Sequence, residues 1–205
     1  LLSAKQLIGP VNSEGLEKDY QGWNSLHPIF EKLVNEVRPK VYVECGVWKG
    51  MSLLNVAKLT RDMGTTLYAC DTWLGGIDHI LSDQPVDRIK KDKWGYPMLY
   101  HQFLFNLAGT GCEERVFPVV NTSVNGARLL RAKGVQADLV YIDGSHEYPD
   151  AYLDMEEYWK LVRPGGVMFG DDYGFPGVVS SLSEWTGTVR VNPEIIDNNF
   201  WVIRK

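Results

Sequence analysis

Apolar positions along the chain alternate between helical and strand spacing. Residues 25–37 place Ile29, Phe30, Leu33, Val34 and Val37 on one helical face. Ser25 is the expected cap, and Pro28 lies in the first turn. Residues 40–45 (KVYVEC) read as a strand. A glycine-flanked turn follows, and then an apolar helix over 51–63 that Gly64 stops. Residues 66–71 (TLYACD) form a second strand. The stretch 72–95 has no clear period. Pro97 opens a helix with Tyr100, Phe103, Leu104 and Leu107 at helical spacing.

Residues 115–120 (RVFPVV) are a third strand. Pro118 cannot donate to a ladder, which predicts a sheet edge. A helix over 124–133 ends at Gly134. The fourth strand is 138–143 (DLVYID), and a helix over 149–162 follows with Tyr152, Met155, Trp159 and Val162 on one face. Pro164-Gly165-Gly166 turns the chain into a fifth strand, 167–171. A short helix over 178–185 precedes two last strands, 188–191 and 200–203, expected as an antiparallel hairpin. Such βα alternation signals an α/β fold with a parallel sheet covered on both faces.

At 205 residues the chain is read as one domain. Hydrophobic residues at 44% and charged residues at 23% exclude global disorder. The net charge of −5, with no basic block, argues against nucleic acid as partner. No apolar run reaches membrane-spanning length, so no membrane partner is expected. No signal peptide is read at the start, and a start at Leu1 leads us to expect residues before it. Cys45, Cys70 and Cys112 form no metal-binding pair and read as buried free thiols of a cytoplasmic protein.

Two constellations carry chemistry. The first is Glu44-Cys45-Gly46-Val47-Trp48-Lys49-Gly50, between a strand and a helix, with Asp71 closing the next strand. Glycine there permits a sharp turn and close approach of a ligand. A strand-end carboxylate can accept the two ribose hydroxyls of an adenosine. The run is E-x-G-x-x-x-G rather than G-x-G-x-x-G, and its side chains would crowd a pyrophosphate, which ranks a dehydrogenase last. An ordinary turn with strand-end acids is the plain alternative.

The second is the segment 138–173. Asp143 ends the fourth strand, and Asp171 and Asp172 end the fifth. Neighbouring parallel strands bring these carboxylates to one sheet edge, where ligands of open α/β sheets bind. Acids so close call for a cation, and oxygen ligands without cysteine suit Mg²⁺ or another hard divalent ion. His146, three residues after Asp143, reaches the same mouth and can take a proton from a hydroxyl. Taken singly, these are also turn formers and a surface histidine. Glu147, Asp150, Asp154, Glu156 and Glu157 read as a solvated helix start suited to its dipole.

Five βα units and a terminal hairpin resemble the Rossmann-like seven-stranded, mostly parallel sheet of class I S-adenosylmethionine-dependent methyltransferases, with helices on both faces and the third strand at an edge. The D-x-x-H sequence of Asp143 to His146 and the acidic pair Asp171-Asp172 resemble the metal-dependent macrolide-sugar O-methyltransferases of the macrocin and mycinamicin type. The catechol and caffeoyl-coenzyme A branch has lysine and asparagine where this chain has His146 and Asp172. The resemblance covers about residues 40–205. It implies S-adenosylmethionine held by Glu44, Gly46, Gly50, Ser52, Asp71, Trp73, Asn121, Ser123 and Asp143. It implies Mg²⁺ on Asp143, Asp171 and Asp172, with His146 and Asp143 catalytic. The implied acceptor is a hydroxyl of a small molecule, a sugar or vicinal diol.

A metal-independent methyltransferase and a non-catalytic nucleoside-binding module stand as alternatives. Residues 1–38 are expected as a helical cover, whose aromatic residues are a candidate homo-oligomer interface. Residues 72–96 are expected as a lid or acceptor loop, since long aperiodic connections are commonly functional.

Overall fold

A computed structural model describes residues 1–9, 15–83 and 89–205. Seven strands make one sheet: β1 (Val41–Cys45), β2 (Thr66–Asp71), β3 (Val116–Val120), β4 (Ala137–Ile142), β5 (Val162–Gly170), β6 (Glu194–Ile196) and β7 (Phe200–Arg204). Their order is β3-β2-β1-β4-β5-β7-β6. The first five run parallel, and β7 pairs antiparallel with both β5 and β6. Pro118 lies in β3, at the edge its missing N–H demands.

Alternation along each strand sorts the side chains between two cores. Tyr42, Leu139, Tyr141 and Phe169 pack against α2 (Pro28–Val37), α3 (Met51–Leu59) and α5 (Leu99–Leu107) through Phe30, Leu33, Leu53, Val56 and Phe103. Val43, Cys45, Val140 and Met168 face α6 (Ser123–Ala132), α7 (Asp150–Trp159) and α8 (Pro176–Val189) through Leu130, Met155, Tyr158, Leu182 and Trp185. Two five-residue helices, α1 (Ala4–Ile8) and α4 (Ile77–Leu81), and a 3-10 turn at Arg61–Met63, where the helix expected over 51–63 gives way after Leu59, complete the set described. All three cysteines are buried free thiols. No described helix is long and apolar enough to cross a membrane.

Several boundaries differ from the expected ones. The outermost strand is Glu194–Ile196, not 188–191, because α8 continues through Thr188 and Val189. Burial of Trp185 and Thr186 on one helical face outweighs the strand preference of the β-branched pair. Pro164-Gly165-Gly166 does not precede β5 but bulges within it, since Val162 pairs with Ala137 and Val167 with Leu139. The cap of α2 is His27, whose Nδ1 accepts from the Ile29 amide at 3.2 Å, rather than Ser25.

Candidate active site at the carboxyl edge of the sheet

The loop after β1 is shaped by its glycines. Gly46 has φ +79, and a β-carbon there would lie 1.8 Å from the Asp143 carbonyl oxygen. The loop therefore rests directly on the end of β4. Gly50 has φ +90, and a β-carbon would press on Phe103 at 2.8 Å. Asp71 fastens the same loop: Oδ2 accepts from the Val47 and Trp48 amides at 2.7 and 2.9 Å, and Oδ1 from the Trp73 amide at 2.7 Å. Trp73, only 1% exposed, packs on Tyr100 and Phe103 and donates its indole N–H to the Trp48 carbonyl at 2.9 Å. It is a buried pillar of the loop.

Glu44 lies fully buried beneath. It accepts hydrogen bonds from the Tyr42 and Ser52 hydroxyls, each at 2.7 Å. The Ser52 proton is thus committed to Glu44. Burial pushes the Glu44 carboxyl up to about 7, against the opposing pull of those two donors. Such a group binds its proton more tightly folded than unfolded. Its contribution to stability is therefore full below about pH 4.5 and lost as pH rises toward about 7. We expect Glu44→Gln to gain on the wild type by roughly 3 kcal/mol between the two ends of that window. Urea unfolding across it measures this, and parallel pH profiles for the two proteins would contradict it.

Asn121 is exposed, its backbone N–H donating to the Asp71 backbone carbonyl at 3.1 Å; Ser123 opens α6, capped by Thr122. Asp154 corrects the expectation of a solvated helix start. It is 2% exposed, 3.8 Å from the Cys45 thiol, and burial raises its carboxyl to about 6. Glu157 is likewise buried and receives Arg128 and Arg131 of α6.

The acidic residues meet where β4 and β5 end. Tyr141 donates one phenolic proton between two carboxylates, at 3.1 Å from Asp143 Oδ2 and 3.4 Å from Asp171 Oδ2. Asp171, 5% exposed, also receives the side-chain amides of Asn24, at 3.3 Å, and Asn199, and the Asp172 backbone N–H at 2.7 Å. Burial, then the charges of Asp171 and Asp172, hold the Asp143 carboxyl well above the usual range. Burial and the neighbouring Asp172 bring Asp171 to about 6.

His146 sits between two carboxylates. Nε2 is 2.8 Å from Asp172 Oδ2, and Nδ1 is 3.0 Å from Asp78 Oδ2 on α4. The bond to Asp172 is the main cause that raises its pKa to about 9. Phe175 lies against the ring at 4.5 Å. Among the described residues, ligand atoms of Asp143, His146 and Asp172 lie within 4.8 Å of one another. Asp171, expected as a ligand beside Asp143 and Asp172, stands outside this grouping and bonds Asn24, Asn199 and Tyr141.

The expected lid contributes α4. His79 stacks on Trp48 of the loop at 4.1 Å and 20°, with Trp23 alongside at 5.3 Å from His79. Trp94, expected to close this segment, is 73% exposed under Lys93. Of the charged run 87–93, Asp87 and Arg88 lie outside the described residues. Sequence reasoning missed Tyr42, Tyr141, Asp78, Asn24 and Asn199. Tyr42-x-Glu44 and Tyr141-x-Asp143 did carry a signal, since residues two apart on a strand share a face.

This geometry accords with known proteins. Residues 43–173 match the family described as "Methyltransferase domain", and the chain belongs to that family. It is 27% identical over 149 residues to uncharacterized protein R132 of Acanthamoeba polyphaga mimivirus, covering 71% of this chain but 58% of that protein. CalS11, a calicheamicin methyltransferase, has a similar structure at TM-score 0.64 and 18% identity, covering 98% of this chain and 89% of CalS11. TomG, an O-methyltransferase of Streptomyces achromogenes involved in tomaymycin synthesis and solved with S-adenosylmethionine, superposes at TM-score 0.62 and 15% identity, over 100% of this chain and 92% of TomG. An O-methyltransferase of Bacillus cereus in complex with S-adenosylhomocysteine gives 0.61 at 13% identity, over 98% and 89% of the two chains. The fold is that of the class I methyltransferases.

Proposed function

We propose that this chain transfers the methyl group of S-adenosylmethionine to a hydroxyl of a small molecule, with Mg²⁺ as a second cofactor. The observation that carries this is the convergence of Asp143, His146 and Asp172 beside the glycine loop and Asp71. Asp71 Oδ1 keeps lone-pair capacity for the ribose hydroxyls while Oδ2 holds the loop. Gly46 and Gly50 let the loop pack tightly on Asp143 and Phe103, in the position where its backbone would meet the nucleoside and methionine portions. Ser52 braces the buried Glu44 beneath them.

The donor set fits a hard divalent ion: carboxylate oxygens and one imidazole, without a thiol. Burial first, and then the neighbouring carboxylates, raise the affinity of Asp143 and Asp171 for protons, and a cation would offset both by supplying positive charge. Asp143 and Asp172 would hold Mg²⁺, with Asp171 behind them through the shared Tyr141 hydroxyl. Bound there, the ion would supply positive charge beside the acceptor hydroxyl and ease its ionisation. With Asp172 drawn onto the ion, the bond that raises the His146 pKa would be released and the neutral ring could take the hydroxyl proton; the oxygen would then attack the methyl carbon in line, the carbon–sulfur bond breaking as S-adenosylhomocysteine leaves. The best acceptor is a sugar or other vicinal diol, whose two oxygens suit an acidic site with a cation. Small-molecule acceptors also accord with CalS11 and TomG. A cytoplasmic setting accords with three unpaired thiols.

The Asp172–His146 pair supports a second reading, a base that works without metal. Methyl transfer to pyrocatechol and methyl glycosides, with Mg²⁺ or after exhaustive chelation, separates the two. Transfer only with Mg²⁺ is expected. Full rates after chelation would select the second reading, and cofactor binding without product on any hydroxyl would overturn both.

A further inference from the structure

Consecutive residues of α4 touch both halves of the site. Asp78 reaches His146, and His79 lies flat on Trp48 of the glycine loop. The segment entering α4 passes through Gly75, at φ +89, and Gly76, its N-cap. A carboxylate only accepts hydrogen bonds, so Asp78 holds the Nδ1 proton of His146 and Asp172 faces Nε2 in the same way. Of the two, Asp78 stands outside the cluster of Asp143, His146 and Asp172, so its bond would persist when Asp172 turns to a cation and Nε2 is released toward an acceptor. Nothing else described bonds Nδ1.

We propose that Asp78, delivered by α4 where it lies across the glycine loop, is the positioning residue of His146. The proposal rests on the reading of His146 as base and adds what turns Nε2 toward the acceptor. Partners that fix a functional imidazole commonly matter to the reaction although they never touch substrate. Asp78 is largely exposed, so its contribution lies in orienting the ring rather than in the strength of an ion pair.

The test uses the whole protein with S-adenosylhomocysteine bound and ¹⁵N-labelled histidines. We expect a downfield Nδ1–H resonance, distinguished from Nε2–H by its two-bond ¹⁵N–¹H correlations, that is absent in His146→Gln, present in Asp172→Asn and lost in Asp78→Ala. Single-turnover transfer to the diol that reacts in the acceptor screen supplies the second readout. Asp78→Ala should lower the rate constant about 10-fold while the acceptor KM changes by less than about twofold. Asp78→Asn keeps a carbonyl oxygen to accept from Nδ1 and should stay within about threefold of the wild type. Survival of the resonance in Asp78→Ala, or an unchanged rate in that variant, would overturn the proposal. Failure of the wild type to methylate any diol would count against the function proposed above, and the resonance would still decide whether Asp78 holds the ring.

Discussion

His146→Ala is expected to slow methyl transfer by about 10²–10⁴-fold, the range for a lost general base. The ring stands 2.8 Å from Asp172 and shares a cluster with Asp143, where an acceptor hydroxyl would meet it. It makes no hydrogen bond to the glycine loop or to Asp71, so S-adenosylmethionine affinity should change by less than about twofold. The loss should therefore fall on the chemical step and not on cofactor binding. Single-turnover rates beside calorimetric titration of the cofactor separate the two. A variant that turns over normally on its true acceptor would remove His146 from the mechanism.

Gly46→Ala should give the largest loss of stability. Two costs coincide: a non-glycine residue at φ +79, and a β-carbon 1.8 Å from the Asp143 carbonyl oxygen. Strain at positive φ alone is of order 1–3 kcal/mol. The clash is with backbone, which cannot rotate away, so the loop or the end of β4 must move. We expect a loss of about 3 kcal/mol or more, together with weakened cofactor binding. Gly134→Ala is the internal control: φ is +74, but nothing lies within 4 Å of the added carbon. It should lose only about 1 kcal/mol, and cofactor affinity should be unchanged. Urea unfolding of both variants tests this, and equal losses would mean that Gly46 does not rest on Asp143.

Some of this was legible from local pattern. Pro118 declared an edge strand because its missing N–H cannot serve a ladder. The strand-ending acids could be located because a parallel sheet sends its carboxyl ends to one side. What stayed hidden depends on contacts distant in sequence. Asn24 and Asn199 meet Asp171 from 147 and 28 residues away, and no spacing announces them. Asp78 lies on a helix of five residues, too short to show a period. Asp154 was misread although its signal was present. It shares a buried helical face with Ala151, Met155 and Tyr158, and that spacing outranks the acidic composition around it. Thr188 and Val189 misled for the reverse reason, since β-branching is a weak preference that packing of α8 overrides.

In the proposed function two cofactors lie side by side at one sheet edge, S-adenosylmethionine over Gly46 and Asp71 and a divalent ion on Asp143 and Asp172. Nuclear relaxation of methyl-¹³C-labelled S-adenosylmethionine, bound to the protein and titrated with Mn²⁺ in place of Mg²⁺, reads that juxtaposition directly. Strong paramagnetic broadening of the methyl carbon is expected in the wild type, falling to the free-ion level in Asp143→Asn and Asp172→Asn. A methyl signal left sharp in the wild type, with the cofactor shown to be bound, would contradict it.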